Sequence, residues 1–385
     1  MDYRYPADSL PFRFEVRQWL AQNLDVDLRG SGHRGAPDPE QLAALRRWNR
    51  KLADAGYAAI AWPVEYGGRG AGVMEQVVLA EEMHRADAPA ALNPIGLANI
   101  APSIMTWGTE EQKRTLLPRM QRGDDIWCQG FSEPEAGSDL ASLRTRAVPD
   151  GDDFIVSGQK VWNTLGHYAD YCELLVRTDP DAPRHQGITC LLVDMHLPGI
   201  TVRPLTTLTG EDEFAEIFFD QVRVPKTALL GPINQGWQVA MTTLSNERAG
   251  IANLHLGVRK KIARLIQAAR ETVVDGIPAS RHPVARQQLA RVYVYGELQK
   301  ALADVCIAGE LNGRPPGAES SITKQCWSDI EHMIGETSAD VLGVQAHSGH
   351  WGDNRLFARA TSIAGGTTQI NKNIIARRVL GLPKD

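Results

Sequence analysis

No stretch of the 385-residue chain approaches the ~18 consecutive apolar residues of a membrane span, and Met1 to Val16 lack the continuous apolar core of a secretion signal. The expectation is a cytoplasmic protein with no membrane span. Concentrated positive charge is missing too: the net charge is −5 and the basic residues are scattered, so nucleic acid is not an expected partner. Cysteine is scarce. Cys128, Cys172, Cys190, Cys306 and Cys326 are odd in number, far apart and set among apolar neighbours, which reads as reduced core thiols rather than disulfides or a zinc site. Gly68-Arg69-Gly70 has no third glycine at the dinucleotide-binding spacing and no strand before it, and no phosphate loop ending in Gly-Lys occurs. His347 and His350 stand in a glycine-rich stretch without a carboxylate or thiol partner, so they read as surface loop and no metal site is expected.

What the chain does contain is enough apolar residue, 43%, for more than one core. Helical periodicity dominates residues 1–125: Phe12, Val16, Trp19 and Leu20 share a face, Thr109 and Gln112 form a capping box before EEQKRTLLPRM, and WPVEYGGRG is a turn. Residues 126–228 change texture to DFIVSG, QKVWNT, ELLVRT, GITCLLVDM, ITVRPL and EIFFDQVRVP, read as a domain of short antiparallel strands. Residues 229–385 return to helices, with breaks at 274–283 and 312–317 and a looser stretch over 345–366. The fold class is therefore α+β, mostly helical, in three successive domains.

Two segments carry the chemistry. Trp127 to Asp139, WCQGFSEPEAGSD, places hydroxyls, carboxylates and a Pro/Gly turn at the start of the β-domain. Gly158 to Thr164, GQKVWNT, sets an indole beside two short polar side chains. Each alone also reads blandly, the first as a hydrogen-bonded turn, the second as a strand with its tryptophan in the core. Together they resemble the acyl-CoA dehydrogenase family, and the resemblance extends through APSIMTWGTEEQKRTLLPRM, the Val222–Trp237 run and the tail GGTTQINKNIIARRVLGLP. It implies the family's helical, β and helical domains, FAD as cofactor and an acyl-CoA substrate. By similarity Gln129, Phe131, Ser132, Trp162, Asn163 and Thr164 attend the isoalloxazine, Ser138 touches both flavin and CoA, and Thr367 and Gln369 add to the flavin site.

Dehydrogenation next to a thioester carbonyl needs a carboxylate for the α-proton, donors on the carbonyl oxygen and a hydride acceptor. Many relatives carry that carboxylate in a Tyr-Glu-Gly-Thr loop, but here the loop reads Ala364-Gly365-Gly366-Thr367. A smaller branch places it on a long helix directly before an arginine, matching Glu247 and Arg248. Trp237, Met241, Leu244, Ile251, Val258 and Ile262 predict that helix as one apolar stripe interrupted by the pair. The second reading of Glu247 and Arg248 is a partly buried ion pair. Asn246 and Arg248 are candidates to contact substrate. Gly365 keeps the backbone N–H that, in the family, bonds the thioester carbonyl, and its lack of a side chain implies a roomier acyl pocket; loop geometry alone also accounts for a glycine there.

Homomeric members complete a neighbour's FAD site with an arginine loop and a glycine-rich glutamine segment. The matching positions here are Thr272–Gly276 and Leu342–Ala346, both depleted of those groups. The expectation is an α2β2 assembly with a second, unlike subunit, with a homotetramer as the alternative, and with electrons leaving through an electron-transfer flavoprotein. The alternatives are an oxygen-using flavin oxidase of the same fold and a non-catalytic partner subunit.

Overall fold

A computed structural model describes residues 9–30, 37–247, 253–314 and 317–383. The chain divides into two compact units, residues 7–247 and residues 248–385 with the first six.

The first unit opens with helices. Helix α1 (Ser9–Asn23) takes Pro11 in its first turn, where a missing N–H breaks no helical bond, and buries Phe12, Val16 and Leu20 at every fourth position. Helices α2 (Pro39–Asp54) and α3 (Val73–Arg85) pack into the same small core. After α4 (Ala101–Trp107) comes α5 (Glu110–Arg122), whose start is the reciprocal box expected: Gln112 N–H donates to Thr109 Oγ1 at 3.2 Å and Thr109 N–H to Gln112 Oε1 at 2.9 Å.

Strands β1 (Trp127–Gly130), β2 (Arg146–Asp150), β3 (Asp153–Thr164), β4 (Tyr171–Arg177), β5 (Ile188–Asp194), β6 (Ile200–Leu205), β7 (Phe214–Pro225) and β8 (Leu229–Leu230) follow. They order as β6-β7-β3-β2-β4-β5-β8, with β1 joined to β4. Two features differ from the expected short antiparallel strands. β1 runs parallel to β4, and β3 and β7 are each 12 residues long. DFIVSG and QKVWNT are one strand, kept paired with β7 by register shifts at Val156/Gly158 and Lys160/Asn163. The first shift depends on Gly158, where a Cβ would stand 2.7 Å from the Thr145 Cα.

Side chains alternate across the sheet. Trp127, Leu175, Ile188, Cys190 and Leu192 face a core shared with Ile100, Ile104, Leu117 and Met120, while Cys128, Cys172, Leu174, Leu191, Val193, Ile217 and Phe219 fill a second core. Helix α6 (Gly236–Glu247) closes the unit, burying Val239, Ala240 and Thr243. Met241, assigned to the apolar stripe, is exposed, because at 100° per residue it lies on the helix face opposite those buried positions.

The second unit begins with α7 (Leu254–Glu271), so the single long helix expected here is described as two, with 248–252 outside the described residues. A small hairpin of β9 (Val273–Val274) and β10 (Ile277–Pro278) turns on Asp275 and Gly276, both with positive φ. Then come α8 (Pro283–Leu311), α9 (Ser320–Leu342), α10 (Gly349–Thr361) and α11 (Thr368–Ile374). The looser stretch expected over 345–366 contains all of α10, so His350 is helical rather than on a loop. His347 ends a short 3-10 turn. Cys128, Cys172 and Cys190 are buried thiols, whereas Cys306 and Cys326 are only half-buried. No described helix is long and apolar enough to cross a membrane, and no group of three metal-ligating side chains occurs among the described residues.

Candidate functional site

The two segments far apart in sequence interlock. β1 delivers the chain into a tight turn closed by mutual backbone bonds between Glu133 and Ala136, both 3.0 Å. From β3, Lys160 Nζ donates to the Phe131 carbonyl at 3.1 Å and to Glu133 Oε1 at 2.8 Å, Val161 N–H donates to the Ser132 carbonyl at 3.0 Å, and Asn163 Nδ2 donates to the Gln129 carbonyl at 2.5 Å. Gln129, Phe131 and Ser132 are thus fixed against Asn163 and its neighbours. Sequence reasoning passed over Glu133 and Lys160, the pair that does the fixing. The available signal was the only lysine of that strand, next to Val161, and a glutamate directly before Pro134.

Both members of that pair are buried. Glu133 also accepts the N–H groups of Arg144 at 2.7 Å and Thr145 at 2.9 Å. Burial opposes charge on both partners and draws the Lys160 ammonium down. At Glu133 burial pushes upward, but Lys160 and the other donors outweigh it and hold the carboxyl below its ordinary range. We take the pair as ionised, since each charge has at least two partners of opposite polarity at hydrogen-bond distance.

The second register shift in β3 has a visible product. Lys160, Val161 and Asn163 are buried, but Trp162 adopts φ +62° and is 61% exposed, touching Phe214 edge to face with centroids 5.8 Å apart. The bland reading of a core tryptophan is therefore overturned: the bulge turns the indole outward. Beside it, Asn163 Oδ1 and Gln129 Nε2 are buried without hydrogen-bond partners among the described residues. Thr164 and Ser132 are half-buried, and Ser138 is exposed. An outward indole on a rigid bulge next to an unsatisfied acceptor and an unsatisfied donor fits a flat, polar-edged ring system such as a flavin.

Helix α6 presents Asn246 half-buried, its amide Nδ2 donating to the Thr242 carbonyl at 2.8 Å. Glu247 is the last residue of that helix; its side chain, and Arg248 altogether, lie outside the described residues. One turn earlier, Thr243 Oγ1 lies 2.8 Å from Glu173 Oε1 and 2.7 Å from Ser103 Oγ. Glu173 is fully buried on β4 and its Oε2 has no partner among the described residues. Burial pushes its carboxyl up to about 8, against weaker pulls from Thr243 and the Cys190 thiol. It is protonated at neutral pH. This residue too was passed over, although a single carboxylate in YCELLV was a usable signal.

Gly365, Thr367 and Gln369 belong to the second unit. Gly365 and Gly366 have φ +65° and +91°, and Thr367 caps α11 by accepting the Ile370 N–H at 3.2 Å. Gln369 is exposed. In the segments matching the family's phosphate clamp, Val273 is 65% and Val344 87% exposed, while Leu342 and Ala346 are buried, and neither segment holds a cationic side chain.

Family models described as acyl-CoA dehydrogenase N-terminal, middle and C-terminal domain match residues 10–124, 128–222 and 234–380. The chain belongs to the acyl-CoA dehydrogenase family. Its three-part architecture and its enzyme class, an oxidoreductase acting on CH–CH bonds, follow from that membership. The acyl-CoA dehydrogenase IpdE1 of Mycobacterium tuberculosis is 38% identical over 98% of this chain and 99% of its own length. Among solved structures, the Tcur3481-Tcur3483 steroid ACAD superposes with a TM-score of 0.87 at 31% identity over 100% of both chains. The ChsE4-ChsE5 complex from Mycobacterium tuberculosis does so with 0.84 at 30% identity, again over 100% of both.

Proposed function

We propose that this chain catalyses FAD-dependent α,β-dehydrogenation of an acyl-CoA thioester to the 2-enoyl-CoA, with Glu247 as the base. The observation that carries this reading is the outward Trp162 on its bulge, held beside the unsatisfied Asn163 and Gln129 by the Lys160–Glu133 interlock. Gln129, Phe131, Ser132, Ser138, Trp162, Asn163, Thr164, Thr367 and Gln369 would hold the flavin. When bound, FAD supplies the acceptor for the β-hydride. Glu247 takes the α-proton, the Gly365 N–H holds the thioester oxygen as charge develops there, and Ser138, Asn246 and Arg248 contact the substrate. Gly365 in place of a carboxylate leaves space for a bulky or branched acyl group, and the relative titled a steroid ACAD supports that class.

The assembly we propose is α2β2, with an unlike acyl-CoA dehydrogenase-like subunit completing the FAD phosphate site. Its support is the apolar Val273 and Val344 where a pyrophosphate clamp would need charge, and the Tcur3481-Tcur3483 and ChsE4-ChsE5 relatives, each named as a pair of different chains. An electron-transfer flavoprotein would then remove the electrons.

The test is purification with and without a co-expressed partner, followed by a flavin spectrum, bleaching with straight-chain, branched and steroid side-chain CoA thioesters, and the Glu247→Gln variant. Flavin retention only in the mixed assembly, and loss of bleaching in the variant, are expected. A flavin-replete homotetramer removes the heteromer. Undiminished bleaching by Glu247→Gln removes the base, and peroxide formed in air without a carrier turns the assignment to an oxidase.

A further inference from the structure

The loop that carries Gly365 is gripped from one side by a ladder on α9. Lys324, Ser328 and His332 follow each other at intervals of four residues and so share one helical face. Lys324 is 2% exposed, and its Nζ donates to the Thr361 carbonyl at 2.9 Å and the Gly366 carbonyl at 2.8 Å. Ser328 Oγ donates to the same Thr361 carbonyl at 2.6 Å. His332 Nε2 lies 2.7 Å from Ser362 Oγ, while its Nδ1 lies 2.7 Å from Arg359 Nη1. A guanidinium has no acceptor, so Nδ1 accepts and Nε2 carries the proton toward Ser362. That tautomer makes the histidine a clamp on Ser362, not a base for it.

From the far side Asn371 Nδ2 donates to the Gly366 carbonyl at 2.7 Å, and Thr368 N–H donates to the Ser362 carbonyl at 3.0 Å. Carbonyls on both sides of Gly365 are therefore held, and the buried ammonium sits where the last carbonyls of α10 are electronegative. The Gly365 N–H donates in none of the hydrogen bonds described, and the residue is exposed. A donor kept free at a left-handed glycine, between carbonyls fixed by a buried cation, is poised for an external acceptor.

We propose that Lys324, with Ser328 and His332, is the positioning group that aims the Gly365 N–H at the thioester carbonyl. This rests on the reading of Gly365 given above. The ladder makes no contact with substrate in this scheme; it sets the direction of the one donor that does, and the lysine's charge adds to the positive potential at that donor.

Acetoacetyl-CoA tests it without turnover. Its methylene between two carbonyls loses a proton to give an enolate whose charge is shared with the thioester oxygen, so the pH at which bound ligand enolises reads how well that oxygen is held. With the assembled wild-type enzyme, enolisation is expected at lower pH than for free ligand. Lys324→Met is expected to raise the apparent pKa of the bound ligand by about one unit, a tenfold loss, while its affinity changes less than about threefold. Ser328→Ala should give about a threefold loss in the same direction. Amide hydrogen exchange over 362–367 should quicken in both variants, with or without ligand. Folded Lys324→Met with wild-type exchange and wild-type enolisation overturns the proposal. If that variant does not fold, Ser328→Ala and His332→Gln decide, and wild-type behaviour in both overturns it. If the wild-type enzyme itself fails to lower the ligand's pKa, the reading of Gly365 falls and this proposal falls with it.

Discussion

Glu133, in the turn after β1, and Glu173, on β4, are carboxylates of one β-domain, both shut away from water, and they end in opposite protonation states. Glu133 receives two backbone N–H groups and a buried ammonium, and stays ionised. Glu173 meets a hydroxyl from α6 and a thiol from β5, with Cys172 beside it on its own strand and Ser103 reached through Thr243, and no cation is among them. Burial alone therefore does not decide charge; the count and polarity of donors does. The ionised carboxylate ties together the segments around Phe131 and Trp162, and the neutral one ties the sheet to the helix that carries Glu247.

The contrast can be broken most severely at Lys160. Lys160→Met leaves Glu133 buried and unpaired, so a loss of about 3–5 kcal/mol is expected in denaturant unfolding. Adding Glu133→Gln should recover part of it. The opposite outcome, a loss below about 1 kcal/mol, would make the pair a bystander.

Next is pH. The Glu173 carboxyl is raised from 4.5 to about 8 in the fold, so the native state binds the extra proton. Its stabilising contribution is complete below pH ~4.5 and is lost as pH rises toward 8, at about 1.4 kcal/mol per unit, or about 2 kcal/mol between pH 6 and 7.5. Glu173→Gln should remove that slope. Glu133 has its pKa lowered, so its contribution is present above the ordinary carboxylate range and is lost on acidification. Stability curves of the two glutamine variants against pH should therefore differ from wild type on opposite sides, and a shared side would refute the contrast.

The smallest stability change belongs to Trp162. Its φ of +62° costs the fold something, and the indole is mostly exposed. Trp162→Gly is expected to leave unfolding free energy within about 1 kcal/mol of wild type. FAD content should nevertheless fall, which separates a ring held for a ligand from one held for packing.

Much of this was legible locally. The Thr109–Gln112 box, the order of helix, sheet and helix, and the two motif segments depend on residues near each other in sequence. What was not legible depended on distant partners. The parallel pairing of β1 with β4 and the Lys160–Glu133 bond are set by tertiary contacts, and the residue types at Glu133 and Lys160 mark them out without saying that they meet. Trp162 shows the same limit: a strand of alternating residues gives its indole an inward direction, and only the shifted pairing with β7 reverses it. Over 349–361, glycines and histidines obscured a helix that packs against α9, since local propensity is weak beside such packing.

The pairing of β3 with β7 also bears on the order in which the protein is made. Asn163 lies opposite Ala215 and Asp153 opposite Pro225, so the bulge carrying Trp162 takes its final shape only after β4, β5 and β6 have emerged between them. Contacts of such wide sequence separation close large loops and form slowly. The Trp162 bulge is thus among the last parts of the sheet to mature on a nascent chain, and any ligand that binds it stabilises only chains that have completed this step.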